Sequence, residues 1–257
     1  MKALITNDDG VESTGIRVLA VAALRAGIEE VVIAAPSWDS SGASASLTAV
    51  QEDGRFLVSA GEVEGFTGEV YAVEGAPAFI TRAALHGAFG DPPDLVLSGV
   101  NRGLNTGYAV IHSGTVGAAT TAAIHGTPAI AFSVDGHEGA HWETVDAIID
   151  AVLKALGRDP EPGLLLNVNI PDLPLAELRG LRQAPLASRG AVSTTVTEVG
   201  EGYITLEESE PGPAEPGTDA ALIVEGYATF TPLRPTCESA DVTPDGLLSV
   251  LRAGVWR

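Results

Sequence analysis

The sequence predicts a three-layer α/β fold, in which helices cover both faces of a mostly parallel sheet. Apolar runs rich in β-branched residues recur along the first 170 residues, and they are apolar on both faces, as buried parallel strands are. Helix-length segments lie between these runs. An alternation of this kind is typical of Rossmann-like proteins.

The elements follow one another with clear boundaries. The predicted strands are, in order, residues 3–6, 31–35, 94–100, 129–134 and 164–170. The predicted helices are residues 15–26, 77–88, 114–125 and 141–156. Gly157 and the two prolines of "GRDPEPG" (157–163) end the last helix before the fifth strand. We therefore expect residues 1–180 to form the α/β core.

The chain changes character after residue 180. Two stretches of strand-like composition, "AVSTTVTEV" (191–199) and "GYITLEE" (202–208), precede the Pro/Gly/Glu segment "SEPGPAEPGTD" (209–219). We expect residues 181–257 to be a β-rich C-terminal extension with one flexible loop.

Composition and charge exclude several classes of protein. The 257 residues include 34 acidic and 14 basic ones, a net charge of −20, so the surface repels duplex nucleic acid and anionic membranes. Cys237 is the only cysteine, which excludes an internal disulfide framework and a cysteine-rich zinc site. Asp8 stands too early for the apolar core of a signal peptide, and no run approaches about 18 apolar residues. We expect a cytoplasmic protein.

Two adjacent carboxylates follow the first predicted strand, in "TNDDG" (6–10). Ligands of open α/β sheets bind at the carboxyl ends of the strands, where Asp8 and Asp9 stand. With no lysine nearby in sequence, a divalent cation is the natural partner for two such charges. The alternative is that one of the aspartates only caps the following helix.

Three further loops carry polar groups at the same expected edge. The Ser/Gly-rich segment "SWDSSGASASLT" (37–48) offers hydroxyls and backbone N–H groups, or is only a turn. In "SGVNRGLNTG" (98–107), Asn101 and Asn105 are either turn formers or neutral cation ligands. "HSGTVG" (112–117) begins a helix, whose N-terminus binds phosphate or is only capped.

Several common catalytic patterns are absent from the sequence. It contains no G-x-S-x-G elbow, Walker A loop or G-x-G-x-x-G fingerprint, which argues against a serine hydrolase, a P-loop enzyme and a dinucleotide-dependent dehydrogenase. The five histidines lack metal-ligand spacing, although His112 adjoins the predicted phosphate loop.

With "TNDDG", "SSGASASLT", "SGVNRGLN" and "HSGTVGAA" in this order, the chain resembles the SurE survival-protein family. The likeness runs nearly end to end, through "LLNVNIP" (165–171) and "GTDAALIVEGYATFTPL" (217–233). Members of that family are metal-dependent 5′-nucleotidases and acid phosphatases that act on phosphate monoesters. The resemblance also implies homodimers or homotetramers that exchange C-terminal elements.

The resemblance assigns roles to ten residues. The metal ligands are Asp8, Asp9, Ser41 and Asn101, an all-oxygen set that suits Mg²⁺, Mn²⁺ or Ca²⁺ rather than zinc. The phosphate-binding set is Asn7, Gly42, Asn105, Ser113, Gly114 and Thr115. Asp8 and Asp9 are the catalytic candidates, and Asp9 is the preferred group to orient or deprotonate the attacking water.

The sequence departs from the family pattern around these residues. The substituted positions are Ser37, Trp38, Ala45, Ala76, Phe79, Tyr108, Ala109 and His112. Because the metal quartet is intact, we expect catalysis to persist more readily than the usual nucleotide preference. The alternative is a catalytically weakened metal- or nucleotide-binding relative.

Two other phosphate chemistries fit less well. A phosphatase of the haloacid-dehalogenase type needs an Asp-x-Asp pair and a lysine that balances the phosphoenzyme. This chain has adjacent aspartates and no lysine between residues 3 and 153. The same missing lysine argues against a receiver-domain phospho-switch.

Overall fold

The computed structural model describes residues 1–136, 141–188, 193–209 and 212–236. Cys237 and the residues that follow it, to residue 257, lie outside these described residues. The strands are β1 (Lys2–Thr6), β2 (Glu30–Pro36), β3 (Gln51–Glu52), β4 (Arg55–Phe56), β5 (Val58–Ala60), β6 (Val70–Val73), β7 (Leu95–Arg102), β8 (Ala129–Val134), β9 (Leu165–Ile170), β10 (Leu181–Gln183), β11 (Ser193–Gly200), β12 (Tyr203–Ser209) and β13 (Ala228–Pro232). The helices are α1 (Thr14–Arg25), α2 (Pro77–Leu85), α3 (Gly114–Ile124), α4 (Trp142–Leu156) and α5 (Asp219–Val224), with a 3-10 helix at Gly107–His112.

Nine strands form the main sheet, in the order β10-β13-β9-β8-β7-β1-β2-β6-β5. The six strands from β9 to β6 are parallel, which confirms the predicted fold class. Their order is that of the Rossmann fold, with β1 central and the chain turning back to place β7 on its other side. The switch point between β1 and β7 is where such folds bind their ligands.

The helices cover both faces of this sheet, and α1, α2 and α4 do so with an apolar stripe. α1 and α4 pack together on one face through side chains such as Ile16, Leu19, Val145 and Ile149. α2 and α3 pack on the other face, and α3 is nearly all small residues, so it lies close to the sheet. Each fully buried Leu, Ile or Val contributes about 1.5–3 kcal/mol to the stability of this core.

The sheet is wider than the sequence predicted. The short strands β5 and β6 extend it beyond β2, and neither was predicted. At the other side β13 pairs antiparallel with β9, and β10 pairs with β13. The segment Asp219–Val224, in the part predicted to be β-rich, is helical and begins inside the stretch predicted to be a flexible loop. The division of the chain at residue 180 stays a prediction, although β10 and β13 lie in the main sheet.

The strands β11 and β12 form a separate antiparallel hairpin. Its apolar side chains are exposed to solvent, most of all Val199 (74%) and Ile204 (62%). Among the described residues, no helix combines the length and apolar character that crossing a membrane requires.

Candidate active site

The carboxyl ends of β1 and β7 meet at the switch point. Thr6 and Ser98 are register partners, so Asp8 and Asp9 after β1 lie beside the end of β7. The register of β7 against β8 shifts between Ser98 and Asn101, so this end of the strand is irregular. The sequence prediction that Asp8, Asp9 and Asn101 gather at one edge of the sheet agrees with this arrangement.

Asp8 is buried and is held by the N-terminus of α3. Its carboxylate accepts a hydrogen bond from the Thr115 backbone N–H (3.0 Å) and another from the Thr115 hydroxyl. Burial raises the pKa of Asp8 above its ordinary value, while the two Thr115 hydrogen bonds act in the opposite direction. A helix N-terminus favours negative charge, so α3 stabilises the ionised carboxylate.

The contact between Asp8 and α3 is close because residue 114 is glycine. A Cβ at this position would lie 2.8 Å from Asp8 Oδ2 and 2.9 Å from Asp8 Cβ. Ser113 caps the helix by accepting a hydrogen bond from the Val116 N–H (3.1 Å). Of the predicted phosphate donors here, Thr115 is therefore engaged by Asp8, whereas the Ser113 hydroxyl proton and the Gly114 N–H take no part in these bonds.

Asp9 lies beside the last residue of β7. Its Oδ2 accepts a hydrogen bond from the Arg102 backbone N–H (3.1 Å), and its Oδ1 lies 3.9 Å from Arg102 Nε. Burial raises the pKa of Asp9 to about 6, with the neighbouring Asp8 charge acting in the same direction and Arg102 opposing it. Asp9 thus lies in an environment that disfavours its charge unless a cation joins it.

The loop after β2 brings Ser41 to the site. The Ser40 N–H donates to the Asp8 carbonyl (2.8 Å), which fixes the loop on the end of β1. The Ser41 hydroxyl donates to Asp39 Oδ1 (2.6 Å), and this bond with the Ser41 N–H lowers the pKa of Asp39. Because the proton of Ser41 points to Asp39, the lone pairs of its oxygen are available to a cation. Asp39 was not predicted from the sequence as a site residue, although it lies in the segment "SWDSSG" (37–42).

Asn101 presents a neutral oxygen at the same edge. Its Nδ2 donates to the Gly103 carbonyl (2.6 Å), an orientation that leaves Oδ1 as the free acceptor. Two carboxylates, a hydroxyl and an amide oxygen are the donor set that hard divalent cations prefer. The described residues contain no group of three or more His, Cys, Asp and Glu side chains arranged for a metal ion. Because two of its four oxygen donors are neutral, the predicted quartet suits a hard cation that accepts neutral oxygen ligands as well as carboxylates.

Two predicted phosphate-binding asparagines are engaged within the protein. Asn7 Nδ2 donates to the Gly10 carbonyl (2.9 Å) and to Ser13 Oγ (2.7 Å), which ties the turn after β1 to the cap of α1. Asn105 Nδ2 donates to Ser133 Oγ (2.8 Å). These contacts give both residues a structural use, and their binding of phosphate stays a prediction. Gly42 lies in open space, with no atom within 4 Å of where a Cβ would stand.

The residues that depart from the family pattern have different environments. Trp38 and Tyr108 are exposed, by 39% and 65%. The Phe79 ring packs on the Phe56 ring at a centroid distance of 4.6 Å. Ala76 is the N-cap of α2 and makes no side-chain capping bond. Phe79 therefore serves the packing of the β3–β4 hairpin.

Asp219 is a buried carboxylate that the sequence analysis did not single out. Its Oδ2 accepts from the Gly107 N–H (2.9 Å), and its Oδ1 accepts from the N–H groups of Ala187 and Ala220 (both 2.8 Å). The chain near residue 219 is thereby joined to the 3-10 helix that leads into Ser113. The segment "GTD" gave a local signal for a helix N-terminus, but not for the distant partners.

Fold and site together define a Rossmann-like α/β protein with an acidic, oxygen-lined site at its switch point. The comparisons with known proteins agree with this class. The model of the family described as "Survival protein SurE" matches residues 3–193, and the chain belongs to that family.

Similar proteins match over the full length of the chain. A protein of Shigella dysenteriae serotype 1 named 5′/3′-nucleotidase SurE is 39% identical over 265 aligned positions, covering 100% of both chains. A protein of Escherichia coli O1:K1 with the same name is 38% identical with the same coverage. The crystal structure of the SurE protein from Aquifex aeolicus superimposes with a TM-score of 0.77 at 30% identity, covering 98% of this chain and 99% of that chain.

Proposed function

We propose that the chain is a divalent-metal-dependent phosphomonoesterase that hydrolyses nucleoside 5′- or 3′-monophosphates and related monoesters. The products are inorganic phosphate and the alcohol. The observation that carries the proposal is the position of two largely buried carboxylates, Asp8 and Asp9, at the switch point, bonded to the segments that carry Ser41 and Asn101. The name shared by the full-length relatives, 5′/3′-nucleotidase, supports the reaction class and extends it to 3′-esters.

The proposed metal ligands are Asp8, Asp9, Ser41 and Asn101. Mg²⁺ and Mn²⁺ suit these oxygen donors, and Ca²⁺ can bind the same set. When bound, such a cation polarises a phosphoryl oxygen and lowers the pKa of a water. Thr115 orients Asp8 through two hydrogen bonds, and Asp39 orients the Ser41 hydroxyl. These contacts fix two of the four ligands before a cation arrives.

The remaining residues divide between the water and the phosphate. Asp9 is proposed to orient or deprotonate the attacking water. The Ser113 hydroxyl, the Gly114 N–H and the exposed Gly42 N–H are proposed to bind phosphate oxygens. Asn7 and Asn105 act in this scheme by holding the two loops that carry the other groups.

The oligomeric state is part of the proposal. An isolated two-stranded hairpin is marginally stable in water, and β11–β12 has apolar side chains exposed along both strands. Burial of these side chains against a second copy would stabilise a homodimer or homotetramer. A cytoplasmic location is also proposed, on the basis of the single cysteine and the absence of an apolar span in the sequence.

Phosphate release from 5′- and 3′-monophosphates of all four nucleosides, with Mg²⁺ or Mn²⁺, tests the function. We expect turnover that EDTA abolishes and that added metal restores. Asp8→Asn removes a proposed ligand and should abolish turnover, whereas Asp146→Asn, at a surface ion pair with Arg25, should leave it intact. Metal binding without turnover of any ester would instead identify a binding protein.

A further inference from the structure

The proposed site carries more negative charge than the predicted divalent cation can neutralise. Asp8, Asp9 and Asp39 lie close enough that Asp39 raises the pKa of both of the others. A phosphate monoester adds a dianion to this edge. The N–H and hydroxyl of Thr115, which a phosphate could otherwise use, are engaged by Asp8. The site therefore needs a cationic donor besides the metal.

Arg102 is the cationic side chain at this position. It is the last residue of β7 and follows Asn101 directly. Its backbone N–H is bonded to Asp9, while its guanidinium Nε lies 3.9 Å from Asp9 Oδ1. The Arg102 side chain is 43% exposed, whereas that of Asp9 is 5% exposed. The guanidinium thus lies near a buried carboxylate, while a large part of the Arg102 side chain is open to solvent.

The Arg102–Asp9 contact is loose enough to change when a ligand arrives. At 3.9 Å between Nε and Oδ1, the guanidinium is beyond hydrogen-bond distance of the Asp9 carboxylate, and the pair is not bidentate. Phosphate oxygens, by contrast, match the planar fork of a guanidinium, which can donate two parallel hydrogen bonds. Arg102 can therefore turn to a phosphate while its backbone stays fixed by Asp9.

The balance of formal charges at the site also favours Arg102. The formal charges of the three carboxylates, one guanidinium and a divalent cation cancel, so a site that includes Arg102 does not repel a phosphate dianion. The other ion-paired lysines and arginines of the described residues lie elsewhere, at the amino ends of the strands or on helices. Arg179 and Arg182 both lie over the Tyr227 ring.

We propose that Arg102 binds the phosphoryl group of the substrate and neutralises its charge beside the metal. The proposal rests on the proposed function, and it adds a residue that the sequence analysis did not assign. It predicts opposite effects on two ligands, because a guanidinium repels a metal cation and attracts a phosphate. Removing the charge should weaken phosphate binding and leave metal binding unchanged or tighter.

The test uses Arg102→Gln, Arg102→Lys and the matched control Arg17→Gln. Arg17 is an exposed arginine on α1 with the same exposed fraction, 43%, and a similar ion-pair distance, 3.8 Å to Glu64. Calorimetry on the full chain measures the dissociation constant of Mn²⁺, and then that of inorganic phosphate for the Mn²⁺-loaded protein. Neither measurement requires turnover, so its outcome is separate from that of the hydrolysis assay.

We expect Arg102→Gln to weaken phosphate binding by about ten- to a hundredfold, the range for a lost hydrogen bond to a charged group. Mn²⁺ should bind this variant at least as tightly as the wild type. Arg102→Lys, which keeps the charge but not the fork, should recover most of the loss, and Arg17→Gln should match the wild type. Unchanged phosphate binding in Arg102→Gln, or parallel losses of Mn²⁺ and phosphate, would overturn the proposal. A wild-type protein that binds Mn²⁺ but no phosphate would overturn it as well.

Discussion

The carboxyl edge of the sheet and the β11–β12 hairpin place their side chains in opposite environments. At the edge, Asp8, Asp9 and Ser41 each have a named hydrogen-bond partner on another segment or within their own loop. In the hairpin, the apolar side chains of Val199 and Ile204 are mostly exposed, and the two strands pair with each other.

The difference indicates which of the two regions is stabilised within one chain and which would be stabilised by contact with another surface. The side chains of Asp8, Asp9 and Ser41 at the edge are partnered within the chain, as a site that must hold a fixed geometry requires. Exposed apolar groups in the hairpin gain stability only when another surface covers them. A change at the edge should therefore alter ligand binding and activity, and a change in the hairpin should alter association.

After the loss expected for Asp8→Asn, the largest effect should come from Asp9, the proposed metal ligand and base. Asp9→Asn is expected to lower kcat/KM for a nucleoside monophosphate by about 10²- to 10⁴-fold, the usual contribution of a general base. Thermal unfolding should change little, because the amide keeps an acceptor for the Arg102 N–H. The comparison variant is Asp150→Asn on the surface of α4, and an equal loss there would contradict the assignment.

The next effect should come from the contact between Asp8 and α3. Gly114→Ala would place a Cβ 2.8 Å from Asp8 Oδ2, so the carboxylate or the helix must shift. Displacement of a catalytic group by about 1 Å can cost a hundredfold in rate. We expect a loss of about tenfold to a hundredfold in kcat, with weaker Mn²⁺ binding. Gly212→Ala, where no atom lies within 4 Å, is the control and should retain full activity.

The pH dependence of metal binding should reflect the raised pKa of Asp9. A group with a pKa of about 6 is mostly protonated at pH 5, and a proton competes with the cation for the same oxygens. The dissociation constant of Mn²⁺ should therefore rise about tenfold from pH 7 to pH 5 and stay nearly level above pH 7. The raised pKa of Asp8 acts in the same direction. A constant affinity between pH 5 and pH 7 would contradict this explanation.

The smallest effect on activity should come from the hairpin. Val199 and Ile204 are register partners, and the pair of changes Val199→Ser and Ile204→Ser removes exposed apolar surface. We expect light scattering to show weaker self-association, with kcat within about twofold of the wild type. Val224→Ser, on α5 at 88% exposure, is the matched control. A large loss of activity without a change in mass would indicate that the hairpin belongs to the site.

The parallel core and the position of Asp8, Asp9 and Asn101 at one edge of the sheet could be predicted from the sequence. Buried parallel strands have a local signature, and their carboxyl ends share one edge of the sheet. Asp8 and Asn101 each follow a predicted strand. This was therefore enough to expect them at the same edge of the sheet. The resemblance to the family added Ser41, which lies in a loop with no strand signature of its own.

Contacts between distant segments could not be predicted in this way. Nothing local to Asp219 indicates that its carboxylate binds the N–H groups of Gly107 and Ala187. The engagement of Thr115 by Asp8 likewise depends on how closely α3 approaches β1. Arg102 lies in "SGVNRGLNTG" (98–107), but the sequence does not indicate that its guanidinium lies near a carboxylate. Only the folded structure shows this.

The position of β13 has a consequence for the order in which the chain assembles during synthesis. β13 lies between β9 and β10, although β10 precedes it in the sequence, and among the described strands β10 pairs only with β13. A nascent chain that has emerged as far as Gln183 holds every strand of the parallel core, yet β10 has no strand to dock on. β10 and β13 must therefore join the sheet together, once Ala228–Pro232 has left the ribosome. Until then, the edge of β9 remains open to any other strand in its surroundings.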